Sequence, residues 1–486
     1  MATRVVSPKL LQNLRYFIRP INSAPSSFTV SPINFTEKPD PTIIKPPTTT
    51  STLDLGDVKE LFSSVPTTKL LRSSITLQMA ALEPMVDLGM WVLNSRIMET
   101  PGLREVILGT VKHTFFEHFC AGENPDDACQ AVLKLWDAGL RGMLDYGLEH
   151  AADNESCDRN LEGFFQTVES TKSLPPSSVS SVIAKITAIC PPDLLKRVSD
   201  LLRWEYRENS SSLPWKLDTL PILSDCSPFY HTLEKPEPLT PQEEHDLHLA
   251  HQRLLKLCQK CLEANVPLAI DAEDTSIQPS IDYFTYSAAI VYNKDNNPVI
   301  FGTIQAYLKD SKERLLRTTK AAEKMGVPMG VKLVRGAYMS SERQLASSLG
   351  VESPIHNTIQ QTHACYNECA AFMLEKISNA SGAVVLATHN VESGKMAAAK
   401  ARDLGIGLEN QKLQFAQLYG MADTLSFGLR KAGFQVSKYL AFGPLQQLMP
   451  FLLRRAEENR GLLSSSTLDR QLMRKELKRR LTATIL

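Results

Sequence analysis

Near the end of the chain, Arg454-Arg455-x-x-Glu458 follows an apolar run at 448, 449 and 451–453. On a helix, Arg454 and Glu458 share a face and Arg455 points about a quarter-turn away. One turn then offers two guanidinium forks and a carboxylate. A fork matches a carboxylate bidentately and an acid can hold an amine, so the pattern suits a small zwitterion. Taken alone, the same five residues read first as a solvated helix face with one ion pair.

Other groups able to do chemistry stand at the ends of short apolar runs. They are Lys185, Asp271, Glu273, Gln305, Lys332, Arg335, Tyr338, Thr388, His389, Asn390, Gln417 and Tyr439. Lys185 and Asp271 are read as lying inside their strands with apolar neighbours, where an unpaired charge is expensive, so each is expected to be paired with the other or with a ligand. Several reaction classes fit parts of this set. Lys185 suits a Schiff-base lysine. Asp271, Glu273, Asp274 and His389 could hold a metal, although no early His-x-His accompanies them. Gln305, Lys332, Arg335 and Thr388 could face a phosphate or a flavin. Composition and spacing leave these classes open.

The elements that must position these groups repeat along the chain. Apolar or β-branched runs occur at 142–148, 181–189, 267–273, 299–307, 329–335, 383–389, 413–418 and 438–442. Each is followed by an amphipathic pattern, as at 158–173, 310–325, 391–404 and 422–433, with 445–460 closing the series. Eight consecutive βα units predict an α/β fold, a distorted (βα)8 TIM-type barrel over 139–461 with its site at the C-terminal strand ends. Helical spacing over 53–138 predicts an N-terminal helical segment, and 207–240 reads as an insertion. An open doubly wound sheet would call for a Gly-x-Gly-x-x-Gly turn; Gly405-Ile406-Gly407 lacks the third glycine.

Of 486 residues, 53 are basic and 53 acidic, a balance that argues against a nucleic-acid partner. No apolar run reaches the roughly 18 residues of a membrane span. Nine irregularly spaced cysteines argue against a disulfide framework. Cys258-x-x-Cys261 has redox spacing but falls in a predicted helix without a second pair, and reads as structural. Residues 1–36 carry Arg4, Lys9, Arg15 and Arg19, with no acid before Glu37. With the Pro/Ser/Thr-rich stretch that follows, 1–52 reads as an organellar targeting peptide and disordered linker. The segment 462–486 reads as a basic helix that packs on the barrel or touches an anionic membrane surface.

Taken together, Asp271-Ala272-Glu273, Gln305-Ala306-Tyr307, Lys332 to Tyr338, Ala387 to Asn390, Phe415 to Met421 and the Arg-Arg-x-x-Glu turn resemble the proline dehydrogenase family, most closely its plant mitochondrial members. The resemblance covers about residues 55–480. It implies a barrel that binds FAD noncovalently, oxidises L-proline to Δ1-pyrroline-5-carboxylate and passes electrons to ubiquinone on the matrix side of the mitochondrial inner membrane. It also implies that a separate enzyme takes the product. By position, Arg454, Arg455 and Lys185 would hold the proline carboxylate, Glu458 would face the amine side and Asp271 would orient the cations. Tyr439 would lie over the ring, and Leu418 would be an apolar wall. Gln305, Lys332, Val334, Gly336 and Tyr338 would line the isoalloxazine, with Tyr338 counted among the substrate-side residues too. Thr362, Thr388, His389, Asn390 and Gln417 would serve the rest of the cofactor, and no metal is implied. Lys332 stands where bacterial members carry Arg, Phe451 where a Tyr is common, and Ala441 where Pro is frequent. The departures leave room for a non-catalytic proline-binding barrel, and Lys185 for an aldolase.

Overall fold

The computed structural model describes residues 53–485, apart from 94, 210–212, 408–409 and 460–465. The targeting-peptide reading of 1–52, and Arg460 and Gly461 after the arginine turn, lie outside the described residues. Eight parallel strands close a barrel in chain order: β1 (Arg141–Tyr146), β2 (Val179–Ala184), β3 (Leu268–Ile270), β4 (Ile300–Gln305), β5 (Gly330–Val334), β6 (Ala383–Ala387), β7 (Leu413–Leu418) and β8 (Val436–Phe442), with β8 returning to pair with β1. The strands are nearly continuous apolar runs because both faces are covered.

Before the barrel run α1 (Val58–Leu61), α2 (Thr67–Ala80), α3 (Glu83–Leu93), α4 (Pro101–Val111) and α5 (Pro125–Asp137). A π-helical turn at Lys112–Phe116 follows α4. The connecting helices are α6 (Asn154–Ser170), α7 (Pro192–Glu208), α8 (Pro241–Glu263), α9 (Gln278–Tyr292), α10 (Ser311–Met325), α11 (Met339–Ser348), α12 (Ile359–Ser378), α13 (Val391–Asp403) and α14 (Asp423–Lys431). After β8 come α15 (Met449–Asn459) and α16 (Thr467–Ile485). Their starts carry local signals: Asp153 accepts from Ser156 N before α6, Thr240 and Glu243 form a capping box on α8, and Thr358 and Gln361 do so on α12.

Period-two alternation sorts the strand residues. One set, including Leu144, Val182, Leu268, Val384, Leu386 and Phe415, packs outward against the helices in the main core. The other set, Met143, Ile183, Ala269, Phe301, Ala383, Val385 and Ala416, forms a separate cluster inside the barrel. Two residues beyond an interior apolar residue, the same phase reaches the C-terminal mouth. Met143 leads to Asp145, Ile183 to Lys185, Ala269 to Asp271, Phe301 to Thr303 and Val385 to Ala387. Lys185 and Asp271 were expected inside their strands; each is instead the first residue after one, because β2 and β3 end at Ala184 and Ile270.

Candidate functional site

A cavity of about 1150 Å³ opens at this mouth. That exceeds the roughly 300–1,000 Å³ of an ordinary ligand pocket and leaves room for far more than one amino acid. Every residue assigned above to substrate or cofactor borders it: Lys185, Asp271, Tyr338, Leu418, Tyr439, Arg454, Arg455 and Glu458, and Gln305, Lys332, Val334, Gly336, Thr362, Thr388, His389, Asn390 and Gln417.

At one end the lining is charged. Lys185 Nζ lies 3.3 and 3.4 Å from the two carboxylate oxygens of Asp145 and 3.7 Å from Asp271 Oδ2. Lys332 Nζ donates to Asp271 Oδ1, and the Tyr439 hydroxyl donates to Asp271 Oδ2 at 2.8 Å. Burial opposes both charges here, yet the neighbours win. Burial alone would raise the Asp271 carboxyl, but Lys332 and Lys185 hold it below its usual range. Burial alone would lower the Lys185 ammonium, but Asp145 and Asp271 raise it. The expected contact between Lys185 and Asp271 is present at 3.7 Å, but Asp145, near the end of β1, lies nearer.

Helix α15 brings the arginines to this end. Arg455 is buried, with Nη2 2.5 Å from Glu458 Oε1 and its guanidinium 4.7 Å from the centre of the Phe451 ring. Arg454 is partly buried, with Nη1 3.5 Å from Glu149 Oε1. The pairing read from the helical wheel, Arg454 with Glu458, is therefore exchanged. Arg454 turns toward the loop after β1, and Arg455 takes Glu458 one turn away at i,i+3. Phe451 stacks on Tyr439, ring centres 6.5 Å apart and planes at 10°.

At the other end neutral groups predominate. Gln305 Nε2 donates to Glu273 O at 2.8 Å. Gln417 Oε1 accepts from Ser426 on α14, while its buried Nε2 has no hydrogen-bond partner among the described residues. His389 Nε2 accepts from Leu418 N at 3.1 Å, which leaves the proton on the other ring nitrogen. Burial, with Arg455, Lys438 and Arg335 nearby, pushes this imidazole down to about 3, so it stays neutral. Asn390 caps α13, its side-chain oxygen accepting from Ser393 N at 2.8 Å. Arg335 donates to His363 Nδ1, Thr388 Oγ1 and Ser393 Oγ at 3.0, 2.7 and 2.8 Å, and lies over the Tyr366 ring. Among the described residues no carboxylate lies within ion-pair distance of it. Gly336 adopts φ +134°, and a Cβ there would stand 2.4 Å from the Tyr307 ring. Only glycine lets the backbone pass this close to Tyr307, and both residues border the cavity.

Some candidates are not brought to the cavity. Glu273 is fully buried and accepts from Thr187 Oγ1 at 2.8 and 3.0 Å; burial pushes it up to about 8. With Glu273 held there, Asp271, Asp274 and His389 do not converge, and the described residues contain no cluster able to hold a metal. Cys258 and Cys261 are buried on α8 and burial raises both thiols. Asp145 and Glu149 were missed. Asp145 shows the same signal as Lys185, a charge inside an apolar run.

The family profile described as Proline dehydrogenase matches residues 128–467. The chain is 57% identical over 455 residues to proline dehydrogenase 1, mitochondrial, of Arabidopsis thaliana, covering 92% of this chain and 91% of that one. It is 54% identical over 486 residues to proline dehydrogenase 2, mitochondrial, of the same plant, covering 99% and 100%. Among solved structures, proline utilization A from Bdellovibrio bacteriovorus inactivated by N-propargylglycine has the same fold. Its TM-score is 0.57 at 20% identity, over 85% of this chain, which spans 39% of that one.

Proposed function

This chain belongs to the proline dehydrogenase family, and from that membership and the cavity's chemistry we propose that it oxidises L-proline to Δ1-pyrroline-5-carboxylate with bound FAD. The observation that carries the reading is the division of one cavity into a cationic end and a neutral polar end. Four cations, Lys185 just after β2, Lys332 on β5, and Arg454 and Arg455 on α15, gather at the first end.

The neutral end fits a flavin dinucleotide on three counts. Gln417 Nε2 is a buried donor without a partner among the described residues. Gly336 lets the backbone lie against the Tyr307 ring in the cavity wall. Among the described residues Arg335 is a cation met by neutral groups and a ring, the setting in which a pyrophosphate is bound without displacing an acid. Gln305, Lys332, Val334, Gly336 and Tyr338 would hold the isoalloxazine, and Thr362, Thr388, His389, Asn390 and Gln417 the remainder. FAD, when bound, supplies the two-electron acceptor that no side chain provides.

Substrate is positioned by the chain's own residues. Arg454, Arg455 and Lys185 hold the carboxylate, and Tyr439 and Leu418 bound the ring. Tyr439 is fixed by its bond to Asp271 and by its stack on Phe451. Fixing the ring against the cofactor converts an encounter into a unimolecular step. The arrangement argues against an aldolase. An imine-forming lysine must shed its proton, and Lys185 lies between two carboxylates that keep it.

In this reading the electrons pass to ubiquinone and the protein works in the mitochondrion, on the matrix side of the inner membrane. No described helix is long and apolar enough to cross a membrane. Peripheral contact is supported less by α16 than by α3 and α4. On α16, Arg480 donates to Phe62 O, Val65 O and Thr67 Oγ1, and Asp469 accepts from Asp423 N and Thr424 N. On α3 and α4, by contrast, Leu88, Trp91, Leu103 and Val106 are exposed.

The test is an absorbance spectrum of the purified protein. It should be yellow and should bleach when proline is added without oxygen. A protein that holds flavin and stays oxidised would support a proline-binding barrel without turnover instead.

A further inference from the structure

Asp145, like Glu149, is an acid of the charged cluster that does not border the cavity. It is fully buried at the end of β1, paired across the sheet with Ile183 of β2 and Ala441 of β8. Both its oxygens face Lys185 Nζ, at 3.3 and 3.4 Å. Lys185 does border the cavity. We propose that Asp145 is a positioning residue: it keeps Lys185 a cation and holds it in place for the substrate carboxylate. The inference rests on the proline dehydrogenase reading and extends it to a residue outside the cavity wall.

The surroundings explain why a second acid is needed. Lys185 faces Asp145 from β1, Asp271 from the end of β3, Glu149 from the loop after β1 and Arg454 from α15. Asp271 is already engaged by Lys332 of β5 and by the Tyr439 hydroxyl of β8. Without Asp145, two buried lysines would share Asp271, while Glu149 is engaged by Arg454, itself a source of repulsion for Lys185. Burial then favours the neutral amine, and Lys185 is the lysine left with the longer contact, 3.7 Å to Asp271. A neutral Lys185 no longer attracts a carboxylate. Removing Asp145 should therefore make proline binding fail progressively as pH rises.

The experiment uses the FAD-loaded full chain and measures kcat and KM for proline from pH 6.5 to 9.5. In Asp145→Asn, kcat/KM should approach the unmodified enzyme at the acid end. It should then fall at least about tenfold further than the unmodified enzyme toward the alkaline end, roughly tenfold per pH unit once the lysine titrates. The loss should lie in KM, with flavin content unchanged. Lys185→Met should show a raised KM without this added pH dependence, and Lys185→Met with Asp145→Asn should match Lys185→Met alone. Parallel profiles for Asp145→Asn and the unmodified enzyme would overturn the proposal. So would a further loss of kcat/KM when Asp145→Asn is added to Lys185→Met. If Asp145→Asn alone does not fold, the double variant still decides, because it removes both buried charges together. An unmodified holoenzyme that does not turn over proline would instead refute the reading on which this rests.

Discussion

At one end of the cavity each cation has an acid within reach; at the other, Arg335 is met by two hydroxyls, an imidazole and a ring. The contrast separates two ways of binding an anion. At the charged end an incoming carboxylate exchanges with acids already present, so the cost of burying charge is met during folding and binding can be reversible within a catalytic cycle. At the neutral end an anion would compensate a cation that the chain leaves unmatched, which favours a resident group.

Breaking the neutral end should have the largest effect. Arg335→Ala removes a charged donor with three side-chain acceptors, and losses of about 2–5 kcal/mol for such groups predict FAD affinity at least 30-fold weaker. Flavin per chain after gel filtration checks this. A variant that keeps a full complement of flavin would remove Arg335 from the cofactor's anion site.

Within the charged end, Tyr439→Phe keeps the stack on Phe451 and removes the bond to Asp271. A hydrogen bond to a charged group is worth about 1.5–3 kcal/mol, so kcat/KM for proline should fall about 10- to 100-fold with flavin retained. Steady-state kinetics at matched flavin content decide it.

The smallest effect concerns where the charged end stops. Glu273 lies behind the cluster and is pushed from 4.5 to about 8 by burial. The folded protein thus holds a proton that the unfolded chain has released, so stability falls as pH rises from about 4.5 through about 8. Glu273→Gln should lessen that decline, and melting temperatures of both proteins from pH 5 to 9 should converge at the acid end. A decline equally steep in the variant would mean that Glu273 is ionised in the fold.

Much of this division was legible in the sequence. The eight apolar runs carry the barrel because parallel strands are covered on both faces and need no alternation to be seen. The charged residues stand out for the same reason, as Lys185 does after Val182-Ile183-Ala184. Asp145 sits just as conspicuously after Met143-Leu144, and was missed because a strand carboxylate has no motif of its own. Other features depend on rotamers and register that spacing does not contain. Arg455, not Arg454, takes Glu458 because i,i+3 and i,i+4 are both within reach on a helix. Asn390, read from the sequence only as a cofactor-side residue, caps α13. Arg335, visible within its motif, gains meaning only from the absence of an acid around it.

If the arginine turn on α15 binds substrate and not cofactor, an anaerobic proline titration of Arg455→Met, followed by flavin absorbance beside the unmodified protein, shows it. The starting spectrum and flavin content should be unchanged, with half-bleaching at a proline concentration higher by about two orders of magnitude. Half-bleaching at the same concentration in both proteins would contradict it and return Arg455 and Glu458 to an ordinary helix ion pair.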